Sequence, residues 1–386
     1  MGRWPSIRVL RLTHLVIPVK SAIFSTLRVL DLSHLQDSPK MRALPLDFAL
    51  NALSGCHELQ ELKLNSVFPE LVGESDYIVP LPQLRRLEVI SKVGPTTRVP
   101  FPASPLVAMM ILRYVELSPH ASLRFVSHVK PSTQVGYRSF IPPEDPAYIP
   151  ILSHATFAHL RPNSFTCSEP GGGTLEVAVE FDHEEEEPRQ WFNQDLQLID
   201  MASLLARAPI THLALTSASL YSESIAIAFR TFPGLTTLEF STVPSSSCRP
   251  KDWRFPALFC CLIVPPEVHI RDAVEPADET DEEYRARLPL RRLRVLRFNA
   301  LLWESTVLTL LFGTLYARCA LGAPSLAELF VAMYGRAEAA EAEDADVREK
   351  EEKAMEMLES LVDGPVVCED CEPPVSSSPG GSNFQI

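Results

Sequence analysis

The stretch LRVLDLSHL, Leu27 to Leu35, returns as LRVLRFNAL, Leu293 to Leu301, with the opening LRVL and the final Leu unchanged. Apolar residues hold its first, fourth and sixth positions. The same spacing occurs as IRVLRL from Ile7, LQELKL from Leu59, LRRLEV from Leu84 and LRYVEL from Leu112. It continues as ITHLAL from Ile210, LTTLEF from Leu235 and LAELFV from Leu326. The fourth and sixth positions of such a unit fall on one face of a strand, and the fifth falls on the other. One short strand with a single apolar face cannot bury it alone. Strands stacked side by side make a continuous core, which is the principle of a solenoid.

Successive starts are 20, 32, 25 and 28 residues apart over the first five copies, and later 25, 58 and 33. Most of these gaps leave room for one helix per unit. Helical spacing is present in LDFALNALSGC (46–56), NQDLQLIDMASLLARAP (193–209), SESIAIAFRTFPG (222–234) and ESTVLTLLFGTLYARCALGAP (304–324), each closed by Gly or Pro. The predicted fold is α/β: an irregular leucine-rich-repeat solenoid, or horseshoe, with one parallel sheet and outer helices. The nine units, from residue 7 to 331, resemble the leucine-rich-repeat region of fungal F-box proteins. That resemblance implies a substrate-recognition array of the kind found in ubiquitin-ligase adaptors. No F-box helices precede Ile7, so ubiquitin-ligase subunits are expected as partners only if such a segment lies upstream.

The expected organisation is a solenoid over residues 1–335, an acidic amphipathic helix over 336–363 and a disordered tail over 364–386. Within the solenoid, residues 119–192 read as irregular repeats and 244–290 as an insertion. In the irregular part, 133–140 and 174–181 read as strands, 149–160 as a helix, and the glycines at 171–173 as a hairpin turn. The acidic runs DHEEEEP (182–188) and EPADETDEE (275–283) read as solvated surface loops. They lack the alternating ligands and central Gly of a calcium loop. The pair in CEDC (368–371) supplies two ligands where a structural zinc needs four, so unstructured thiols are expected.

Composition narrows the function. The chain has 386 residues, 46% hydrophobic and 22% charged, with a formal charge of −14. A net-acidic chain repels phosphate backbones, so no nucleic-acid partner is expected. With no run of 18 apolar residues and no leader, no membrane association is expected and the chain reads as intracellular, cytoplasmic or nuclear. Eight scattered cysteines form no disulfide framework. None of the spacings H-E-x-x-H, G-x-S-x-G, G-x-x-x-x-G-K-[ST] or G-x-G-x-x-G occurs, and no catalytic residue, metal or cofactor is expected.

What remains is a surface. The fifth position, which faces the concave side in a leucine-rich horseshoe, reads Arg11, Asp31, Lys63, Glu88, Glu116, Ala214, Glu239, Arg297 and Phe330. The charged members of this row are the candidate site for a protein or peptide partner. The expected function is a non-catalytic interaction scaffold. The alternative is an enzyme or enzyme regulator with a site in the irregular 119–192 region, or else a truncated gene product.

Overall fold

The computed structural model describes residues 7–13, 24–33, 44–65, 71–72, 77–92, 112–118, 120–129, 136–140, 149–181, 194–216, 220–241, 255–264, 288–302, 307–334 and 345–371. In chain order the strands begin with β1 (Val9–Thr13), β2 (Val29–Ser33), β3 (Leu44–Pro45), β4 (Glu61–Asn65), β5 (Leu71–Val72), β6 (Val79–Leu81), β7 (Arg86–Lys92), β8 (Val115–Leu117) and β9 (Ser122–Val129). They continue with β10 (Phe157–Arg161), β11 (Ser164–Ser168), β12 (Thr174–Phe181), β13 (His212–Thr216), β14 (Thr237–Ser241), β15 (Val295–Leu302), β16 (Glu328–Tyr334) and β17 (Val366–Asp370). The helices are α1 (Leu46–Ser54), α2 (Ile151–His154), α3 (Gln194–Leu204), α4 (Ser222–Thr231), α5 (Phe255–Ile263), α6 (Val307–Ala320) and α7 (Ala345–Glu359). The result is a mixed α/β fold whose sheet is mostly parallel and flanked by helices.

The chain forms two compact units, and the division falls inside the span 1–335 read as one solenoid. The first comprises Met1–Thr156, Asn163–Asn193 and Leu204–Ala208. Its strands run β1-β2-β4-β7-β9-β12-β11, parallel except for the antiparallel β11–β12 pair. The fourth-position leucines lie in register, Leu10 beside Leu30, Leu62, Leu87 and Leu123. From Leu30 onward they are buried, at 3% exposure or less. Burial of each such side chain contributes about 1.5–3 kcal/mol. Leu32, expected to be buried with them, is only half-buried.

Three parts of the chain differ from the sequence expectation. LRYVEL from Leu112 is no rung of the main sheet: its strand β8 pairs instead with β6, just as β3 pairs with β5. The rung in that place is β9, whose Leu123 and Phe125 take the fourth and sixth positions while His120 stands where the first Leu would be. Residues 137–140 form a short 3-10 turn rather than a strand, and its buried Tyr137 packs edge-on against Phe165 at 4.8 Å. The span 149–160 is helical only over Ile151–His154. Beyond Ala155 the alternation of buried Ala158 and Leu160 with the outward Phe157 and His159 makes it the strand β10. The hairpin at 171–173 is present, and Gly172 takes φ +98°, a conformation that favours glycine.

The second unit comprises Phe157–Pro162, Gln194–Ser203 and Pro209–Ile386. Its strands run β10-β13-β14-β15-β16-β17, all parallel. Leu213, Leu238, Leu296 and Leu329 share one register position and are fully buried. Helices cover the apolar face, as Phe259 of α5 packs against Phe298 of β15 at 5.7 Å.

The residues expected to be a disordered tail begin with ordered structure. β17 extends the sheet beside β16, placing Val367 opposite Phe330 and Cys368 opposite Val331. The turn into it requires Gly364, where a Cβ would lie 1.9 Å from the Ala327 carbonyl oxygen. The acidic helix is α7, whose Ala354 and Leu358 are buried. The runs 182–188 and 275–283 lie outside the described residues, as does most of the 244–290 insertion apart from α5.

Candidate functional site

Opposite the leucine face, the strands of each unit carry the fifth-position side chains. In the first unit these are neighbours across consecutive strands: Arg11, Asp31, Lys63, Glu88, Arg124 and Glu176. The signs alternate along the whole row. Parallel strands lie about 4.8 Å apart, so each charge inside the row sits between two opposite ones. Glu88 is the hub, at only 5% exposure. Arg124 Nη1 donates to its Oε1 at 2.7 Å, while Lys63 Nζ and Arg86 Nη2 lie 3.4 and 3.5 Å from Oε2. Arg124 Nε donates onward to Glu176 at 3.2 Å. Burial pushes the Glu88 carboxyl up, but the Arg124 hydrogen bond and the three cations outweigh it and hold it below the usual carboxylate range. Lys63, Glu88, Arg124 and Glu176 are thus engaged with one another.

Of the candidate residues, Arg11, Asp31, Lys63 and Glu88 therefore do form one row. Glu116 does not. It stands on β8 opposite Pro80, away from the main sheet, and Arg124 holds the position expected for it.

In the second unit the row is His159, Ala214, Glu239, Arg297, Phe330 and Val367. Arg297 bridges two carboxylates, donating to Glu328 at 2.8 Å and to Glu239 at 3.1 Å. His212 Nε2 lies 3.3 Å from the same Glu239 oxygen, and Phe157 packs edge-on against the His212 ring at 4.8 Å. The contact with His212 holds the Glu239 carboxyl below its ordinary range, joined by the Arg297 charge and opposed by burial.

Beside this ladder, His159 Nε2 and the Thr216 hydroxyl lie 2.9 Å apart. Burial, helped by the charges of Arg161 and His212 against that of Glu239, pushes the His159 pKa down to about 4. The imidazole is thus neutral at neutral pH and able to accept the threonine proton. A depressed histidine binds fewer protons folded than unfolded between its two pKa values. It therefore lends stability above about pH 6.5 that is lost as pH falls toward 4. We expect the His159 ring carbons to keep neutral-imidazole NMR shifts down to about pH 5.5, where an ordinary exposed histidine is mostly protonated.

A second polar cluster has a structural role. Tyr221, at the N-cap of α4, has no side chain that can cap it. Asp195 of α3 supplies the missing acceptor, taking the Tyr221 N–H at 2.7 Å and a short bond from the Ser224 hydroxyl.

Sequence reasoning missed His159, His212, Thr216, Arg124, Glu176 and Glu328. The first lay in a span taken for a helix. Arg124 and Glu176 lie on rungs whose first apolar position is not Leu. Among the described residues no group of three His, Cys, Asp or Glu is arranged to hold a metal ion, and no helix is long and apolar enough to cross a membrane. Cys368 points to the leucine face of β17 beside Val331, and Cys371 follows the strand's last residue with its N–H bonded to the Met333 carbonyl at 2.7 Å. No protein-family model matches the chain, and no curated protein matches it either.

Proposed function

We propose that the second unit's polar face is the working surface, and that the chain is an enzyme or enzyme regulator with His159 at its centre. The observation that supports this is the neutral His159 imidazole 2.9 Å from the Thr216 hydroxyl. A hydroxyl facing an unprotonated imidazole is the basic requirement of nucleophilic catalysis, since the imidazole takes the proton as the oxygen attacks. Ala214, the smallest residue of the row, stands between His159 and Glu239 and is itself buried. His159 comes from the irregular 119–192 region and Thr216 from a regular rung. The test is covalent capture by a fluorophosphonate. Thr216 Oγ1 forms the P–O bond, fluoride leaves, and His159 takes the proton. Mass spectrometry is expected to place the label on Thr216, with Thr216→Val unlabelled and His159→Asn labelled about 10²-fold more slowly or worse. Absence of label on Thr216 sinks the catalytic proposal.

A non-catalytic scaffold is the second reading, and the rows of outward side chains on both units favour it. It would resemble the substrate-recognition part of F-box adaptors, with a protein or peptide seated on Arg11, Asp31 and Lys63 of the first unit, or on Glu239 and Arg297 of the second. Glu88 is too deeply used within the fold to contribute. Partner recovery that survives Arg297→Glu and Lys63→Glu in a folded protein would rule those residues out as the contact.

A further inference from the structure

We infer that β1 is a docking edge for an extended segment of a partner protein that carries one carboxylate between two apolar residues, which adds one more strand to the first unit. Three observations converge on this strand. Among the described residues β1 is paired on one side only, with β2. The Arg8 carbonyl accepts from the Val29 N–H at 3.0 Å, so the alternate residues Val9, Arg11 and Thr13 turn their backbone groups away from β2. A row of outward N–H and C=O groups is a template for another strand, and natural sheets ordinarily blunt such an edge with proline, a bulge, edge charges or a covering element. Of these, β1 has only the charge of Arg11 among the described residues. VLRLT holds no proline and is regular.

The core is also unfinished there. Leu10 and Leu12 are only half-buried, whereas Leu62 and Leu64, in the same two registers further in, are 1% and 4% exposed. Val9 is 53% exposed. A stacked array requires something over its terminal rung, and the apolar side chains of an added strand would supply it.

The charge ladder then specifies the occupant. From Glu176 inward it alternates negative and positive through Arg124, Glu88, Lys63 and Asp31 to Arg11. Every acid between the ends has a cation on either side. Arg11, at the open edge, is exposed, and no ion pair among the described residues engages it. Arg8, just before the strand, is exposed as well. The next rung by this pattern carries a carboxylate opposite Arg11, between two apolar residues that continue the Leu10 and Leu12 columns. The partner segment therefore reads apolar-acid-apolar in extended conformation, a pattern the chain itself uses in LDL, Leu30–Leu32. Lysine in the central place would be repelled by Arg11.

The test uses the full chain and a fluorescein-labelled, end-capped peptide of sequence LRVLDLSHL, with a second peptide carrying Lys in place of Asp. Fluorescence anisotropy is expected to show saturable binding of the Asp peptide and at least about tenfold weaker binding of the Lys peptide. Arg11→Glu is expected to reverse that order, since the residue is exposed and its replacement leaves the fold intact. Hydrogen exchange is expected to slow at Val9, Arg11 and Thr13 when the Asp peptide is bound. Equal affinity for the two peptides overturns the proposal, as does unchanged exchange along β1. A protein that is already dimeric, and becomes monomeric with Arg11→Glu, overturns it too, because a second copy would then own the edge.

Discussion

Glu88→Lys is expected to destabilise the first unit by about 3–5 kcal/mol, the scale of breaking a buried ion pair and leaving its partner uncompensated. The carboxylate is buried on the polar face of β7 and satisfies Arg124 directly, with Lys63 and Arg86 close by. An ammonium in its place adds a fourth cation to three. Glu88→Gln keeps the shape and one acceptor oxygen for Arg124, and is expected to cost about 1–3 kcal/mol. Thermal melts of the two variants separate charge from packing: equal losses would mean that the ladder contributes shape alone. Acid provides an independent check. A carboxyl held below its ordinary range contributes stability that is full above its unfolded pKa and disappears as pH falls through the folded one. Wild type is therefore expected to lose stability below about pH 4.5 more steeply than Glu88→Gln.

Arg318→Met is expected to cost a similar amount, about 3–5 kcal/mol, in the second unit. The Arg318 side chain is 2% exposed, and its guanidinium reaches three carbonyls: Leu262 at 2.6 Å, Pro289 at 3.0 Å and Leu290 at 3.1 Å. Leu262 lies in the last turn of α5, where unsatisfied carbonyls carry partial negative charge. Leu290 sits in a left-handed turn at φ 51°. Burial lowers the Arg318 pKa to about 10, which still leaves it charged at neutral pH. One planar group thus ties α6 to the end of α5 and to the turn entering β15. Methionine fills the volume and leaves all three carbonyls without that donor. Arg318→Lys retains the charge but cannot fork among three acceptors, and an intermediate loss is expected. Denaturant melts with a common m-value check this, and a wild-type midpoint for Arg318→Met would show the carbonyls to be satisfied without the arginine.

Much of the fold was legible because a strand has a period of two and the chain writes that period with leucine. Leu62, Leu87, Leu213, Leu238 and Leu296 are placed by their own local spacing, and so are helices such as α4 and α6. Where leucine is replaced the signal fades. β9 begins its unit with His120, and β10 hides inside a span whose apolar residues also fit a helix. The LRYVEL copy shows the converse failure, since a correct period says which face is apolar but not which neighbour the strand will pair with.

The candidate sites were less legible for a related reason. The sequence by itself determined that charged residues alternate with leucines along each rung, and hence that they would share a face. Only the tertiary structure decided which charges meet. Glu88 joins Arg124 across 36 positions and Arg297 joins Glu239 across 58, while His159 finds Thr216 across 57. Local periodicity constrains a side chain's direction within its own strand, whereas its partner depends on the lateral register of strands separated by whole helices and loops. That register is set by packing of the leucine face, so the chemistry of the polar face follows from burial on the opposite side of the sheet.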